Sequence, residues 1–176
     1  MEDVKFKSID RGALRIKREL RVAAGKVSLV GIPGDADPPV DENNKPAEIS
    51  MAQLAFIMEK GSAVNKIPPR PFMRATRERC EGKFARLARS FYKAILKGNA
   101  SANKSLLKLG EGYEGEMKNT FTLEAFAPNA PITINGGWMR NKVNGKIFKV
   151  KGKQSSHPLI DGGRLRGSII HKVAKA

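Results

Sequence analysis

The stretch from Pro71 to Lys97 leaves this chain little choice of local structure. Cys80, Phe84, Leu87, Phe91 and Ala94 recur at three- and four-residue steps, the spacing of one face of a helix. Pro71 suits a first helical position, and Gly98 suits the residue just past a helix end. Ahead of it, IPPRPFMR (67–74) holds the backbone extended, because each proline fixes its own φ and disfavours helix at the residue before it. Arg70, Arg74, Arg77, Arg79, Lys83, Arg86, Arg89, Lys93 and Lys97 take much of the remaining circumference. Cys80 falls on the apolar face and reads as a small buried side chain; as the sole cysteine it can form no internal disulfide.

The other segments sort by the same rules. Ile9, Ala13, Ile16, Leu20 and Ala23 predict an amphipathic helix over 8–24, ended by Gly25. KVSLVGI (26–32) is short and β-branched, hence a strand. Residues 35–46 form an acidic, proline-rich loop in which Asp35, Asp37 and Asp41 lack the spacing of a calcium loop. Ser50 and Gln53 make a capping box for a helix over 51–60. A further helix over 102–122 carries Gly110, Gly112 and Gly115, which imply a kink or close backbone contact with another helix. Its Glu111, Glu114 and Glu116 read as a solvated face. Strands are expected at 132–135, 146–150 and 168–173. The fold class is therefore α+β in a single domain over 1–176: a small, mostly antiparallel sheet, about four helices packed on it, and an extended basic arm over 139–157.

The net charge of +16 calls for a polyanionic neighbour, either nucleic acid or an acidic protein surface. Lys and Arg minus Asp and Glu gives +4 for residues 1–30, −4 for 31–61, +8 for 62–98, −1 for 99–127 and +9 for 128–176. Such alternation suits subunits that meet basic side to acidic side. No apolar run approaches the roughly 18 residues of a membrane span, so no membrane partner is expected. The charged start MEDVKFKSID lacks an apolar signal region, which predicts a protein retained where it is made.

Catalytic patterns are missing. There is no phosphate-cradling G-x-x-x-x-G-K-[ST] loop and no Cys/His cluster, so neither cofactor nor metal is expected. His157 and His171 are the only imidazoles; Ser155, Ser156 and Asp161 lie too close to His157 in sequence to favour triad geometry. The expectation is a protein that is not an enzyme.

The most distinctive segment is GGWMRNKVNGKIFKVKGKQSSHPLIDGGRLRGSII (136–170). It holds the sole tryptophan, Trp138, followed by six Lys or Arg from Arg140 to Lys153 with no acid among them. Asp161 stands where it could cap a short helix. GWMRNK, KGK and PLIDGGRLRGSI, preceded by IPPRPFMR, resemble in content and order the signature of bacteriophage tail-completion proteins, neck components that join heads to tails. The resemblance covers roughly residues 47–173; where this chain has Gly162 the family more often has Thr.

That resemblance implies a structural virion protein at the head–tail junction, present in the host cytoplasm during assembly. It implies a homo-oligomeric ring, a hexamer ahead of a dodecamer, seated between a tail terminator or tail tube protein and the head connector protein, with DNA passing through its channel. Two contact patches are expected: Arg70, Phe72 and Arg74 in one, and Trp138, Arg164, Leu165 and Arg166 in the other, with Arg140, Lys142, Lys149, Lys151 and Lys153 along the arm. The alternative is a basic nucleic-acid-binding protein using the Arg-rich helix 74–97 and the 139–157 arm, because Trp138 and Phe148 interleave with cations there.

Overall fold

A computed structural model describes residues 12–40, 46–140, 145–154, 159 and 163–176. The element order is α1 (Ala13–Ala24), β1 (Lys26–Gly31), α2 (Met51–Lys60), α3 (Phe72–Leu96), α4 (Ala102–Leu123), α5 (Pro131–Asn135), β2 (Gly136–Arg140), β3 (Ile147–Lys151), α6 (Arg164–Gly167) and β4 (Ile170–Lys175). The fold is α+β, as expected. The described residues group into two compact units, with α3 and α4 each contributing to both.

The first unit comprises 12–30, 80–113 and 171–176. Ala23, Ile95 and Ala102 are buried together, with Leu20, Val22 and Ala100 packed against them. Two charges lock α1 over the α3–α4 turn. The Glu19 carboxylate accepts the Ala102 N–H at 2.8 Å, at the electropositive start of α4. The Arg15 guanidinium donates to the Gly98 carbonyl just past α3. β1 pairs with β4, and the Ala176 N–H donates to the Gly25 carbonyl, so the strands run antiparallel. A Cβ on Gly110 would lie 2.5 Å from Ser28 Oγ and 3.0 Å from His171, so this glycine lets both strands approach α4. A Cβ on Gly112 would press on the Phe84 ring at 3.3 Å, whereas one on Gly115 would meet nothing. The close contact with another helix expected of these glycines is corrected: Gly110 faces two strands, and Gly112 meets α3 only through the Phe84 side chain.

The second unit comprises the described residues of 31–79 and 114–170. The Ser50–Gln53 capping box forms as expected. Glu59, at the other end of α2, accepts the N–H groups of Met73 (2.9 Å) and Arg74 (3.1 Å) and so caps α3. Met51, Ala55, Phe72, Met117, Phe121, Leu165 and Ile169 are buried. The Thr76 and Thr120 hydroxyls, also buried, lie 2.7 Å apart, and each reaches a carbonyl one turn back, Phe72 O and Glu116 O. That satisfies them without water.

Several expectations need correction. The strands form two separate two-stranded sheets, β1–β4 and β2–β3, not one. Residues 132–135 are helical: Pro131 supplies a preset φ at the first position and Gly136, at φ 74°, ends the turn. α3 begins at Phe72, one residue after Pro71. α1 is described from Ala13, so residues 8–11 of the expected helix lie outside the described residues, as do Asp41 and Asp161. α6 follows Gly163, whose φ is 71°.

Candidate functional site: an exposed basic ribbon

Of the segment expected to be an extended arm (139–157), residues 141–144 and 155–157 lie outside the described residues, and the described strands on either side pair antiparallel. β2 and β3 pair in the register Gly136↔Lys151, Gly137↔Val150, Trp138↔Lys149, Met139↔Phe148 and Arg140↔Ile147. The alternation of KIFKVK makes this possible, because paired residues project to the same face and successive residues to opposite faces. One face thus collects Trp138, Arg140, Ile147, Lys149 and Lys151. All five are exposed, Trp138 at 69% and Ile147 at 60%. The other face has Met139, Phe148 and Val150.

The ribbon has a firm root. Lys153 and Gln154 donate their N–H groups to Thr133 O and Ile134 O of α5, both at 2.9 Å. Two glycines permit it: a Cβ on Gly152 would lie 2.5–2.6 Å from Asn135 C, Gly136 N and Ile134 O, and one on Gly136 would lie 2.6 Å from Gly152 N and 2.7 Å from Val150 O. Gly152→Ala is therefore expected to cost about 1–3 kcal/mol through overpacking against backbone that cannot yield. Trypsin should then cut faster between Arg140 and Lys153. Gly115→Ala, with open space around it, should instead gain about 0.5–1 kcal/mol of helix stability. Equal cleavage of the Gly152→Ala and wild-type proteins would show that α5 does not anchor the ribbon.

Beside the ribbon lies a cavity of about 430 Å³. It is lined by parts of both motif blocks, Ile67 and Arg70 from the first and Arg164 and Leu165 from the second, together with Met139 and Lys153. Arg70 is only 6% exposed. Its Nε donates to Ala127 O (2.9 Å), its Nη2 to Pro128 O (3.1 Å) and Asn129 Oδ1 (3.2 Å), and its Nη1 to Met58 Sδ (3.6 Å). Burial lowers its pKa from the ordinary arginine value.

The expected contact residues therefore divide. Arg70, Phe72 (fully buried) and Leu165 (7% exposed) belong to the interior, and their assignment to surface patches is corrected. Arg74, Trp138, Arg140, Lys149, Lys151, Lys153, Arg164 and Arg166 are exposed, with Arg166 Nε donating to Lys118 O at 3.0 Å. Lys142 and His157 lie outside the described residues. Ile147 was missing from the expected set, although its place in the KIFKVK alternation could have found it. Among the described residues no three His, Cys, Asp or Glu side chains converge as metal ligands, and no helix is long and apolar enough to cross a membrane. No family model, curated protein or solved structure matches the chain.

Proposed function

We propose that the chain is a structural assembly protein of a tailed-phage neck, and that the β2–β3 ribbon is its docking element. The observation that carries this is the outward face bearing Trp138 among Arg140, Lys149 and Lys151 on a strand pair rooted in α5. Tryptophan and arginine are the residue types that most often dominate binding energy at protein interfaces. An exposed indole held by a paired strand loses little conformational freedom on docking. The resemblance of 47–173 to tail-completion proteins supplies the setting: a ring, hexameric by preference, between the tail tube or terminator and the head connector. In that setting the cations of the ribbon meet an acidic neighbouring surface, which sets register and speeds encounter.

The test is mass measurement on the purified protein, alone and with tail tubes. Trp138→Ala should weaken ring formation or tube binding by about 30-fold, the scale of a hot-spot residue, while stability changes by less than about 0.5 kcal/mol. Unchanged assembly by a Trp138→Ala/Lys149→Glu variant would sink the proposal.

A further inference from the structure

The charge is unevenly shared between the two units. The described residues of the first unit contain fourteen Lys and Arg against three Asp and Glu, a net +11. The second unit's described residues contain fourteen against eight, a net +6.

Within the first unit one helical face gathers much of the excess. Lys83, Arg86, Ser90, Lys93 and Lys97 follow at steps of three and four, with Arg89 beside Ser90, and every one is exposed. At 1.5 Å rise per residue the row extends about 21 Å. The only acid of α3 in this unit, Glu81, lies roughly a third of a turn or more from the row. Arg79, the next position at that spacing, belongs to the second unit and pairs there with Glu116 (3.4 Å) and Glu124 (3.9 Å). At the other end, Arg15 bonds the Gly98 carbonyl and brings a further cation alongside.

We propose that this row is a binding site for the phosphate backbone of duplex nucleic acid, read without regard to sequence. Two features separate it from a protein-docking face. Its own positions carry charge and a serine but no apolar anchor, with Tyr92 and Leu96 only bordering it, whereas the ribbon is centred on Trp138. Its straight run of one sign matches a linear polyanion: about 21 Å spans about six base pairs of a duplex that presents phosphates continuously. An acidic protein surface offers carboxylates in patches, which such a row would only partly engage. Long exposed Lys and Arg side chains that reach phosphates fix position and supply affinity, with no base readout. The site does not depend on the assembly role of the ribbon.

Fluorescence anisotropy with a random-sequence 20-base-pair duplex tests it. Four or five phosphates neutralised give a slope of log affinity against log salt of about −3.6 to −4.5. Affinity should then fall about 150- to 500-fold between 50 and 200 mM KCl. Arg86→Gln, Arg89→Gln and Lys93→Gln should each flatten the slope by about one, and the triple variant by about three. These side chains are exposed, and circular dichroism checks that the helix content is kept. Arg140→Gln/Lys149→Gln on the ribbon should leave the slope unchanged. The proposal is overturned if the ribbon variant, not the row variant, abolishes the slope. It is also overturned if polyglutamate of matched charge displaces the duplex at equal or lower concentration, which would assign the row to an acidic protein.

Discussion

Arg70→Ala is expected to cost about 3 kcal/mol of stability in the second unit. The guanidinium is 6% exposed and four acceptors converge on it, all uncharged: two carbonyls, an amide oxygen and a thioether. Removing it takes this donor from Ala127 O, Pro128 O and Asn129 Oδ1, which lie in a partly buried setting, and each acceptor that water does not reach costs about 1–3 kcal/mol. The arginine also ties the chain leaving α4 to the proline-rich entry into α3, where its own N–H donates to Met58 O at 2.7 Å. Arg70→Lys retains the charge but only one donor centre in place of a planar fork, so it should recover part of the loss. Arg70→Met matches the length and should recover almost none. Denaturant titration of the three variants checks the order. A loss below 1 kcal/mol for Arg70→Ala would mean that water replaces the guanidinium at all three oxygens, and that the residue is as close to the surface as its sequence context suggested.

That context explains why some of the molecule could be read in advance and some could not. α2, α3 and α4 followed from periodicity and capping, because each buries a stripe long enough to outvote local exceptions. Phe72 was legible too, though it was read otherwise. With Thr76, Cys80 and Phe84 it forms a run at four-residue steps that continues the α3 stripe by two turns toward Pro71. The prolines before it mark an extended entry, and the family resemblance places Phe72 in a contact patch, which leaves the periodic signal unused. Residues 132–135 went the other way: Ile-Thr-Ile has the composition of a strand, but Pro131 and Gly136 set the backbone at both ends of a stretch too short for propensity to prevail. The glycines of α4 marked a close approach, but the helix expected opposite them is, at Gly110, a pair of strands, because a glycine records only that something comes near. The ribbon's faces were written in the alternation of KIFKVK; its root was not, since the Lys153 and Gln154 bonds to α5 depend on a helix read as a strand. Leu165 stands in a four-residue helix, too short for any periodicity to reveal its inward face.

Phe72→Ala should be among the most damaging substitutions in the chain, at about 3–5 kcal/mol. The side chain is fully buried and its ring centroid lies 4.8 Å from that of Phe121 at a 54° tilt, an arrangement worth about 0.5–1.5 kcal/mol beyond area burial. The site is also poorly placed to collapse. Thr76 and Thr120 are fixed by their mutual hydroxyl contact, and the α3 N-terminus is held by Glu59, so little can move in to fill the void. Phe84 makes a useful contrast. Its ring meets Tyr113 edge-on at 5.1 Å but is only half-buried, so Phe84→Ala should cost less than Phe72→Ala. Denaturant unfolding of both variants measures the difference. Assembly assays then separate an interior role from a contact role for Phe72. If the ring acts only by packing, a stabilising osmolyte such as trimethylamine oxide, by being excluded from the protein surface, should restore assembly of Phe72→Ala together with its fold. Assembly that stays lost in a variant shown to be folded would place Phe72 at an interface after all, and would require α3 to expose its first turn when a neighbour docks.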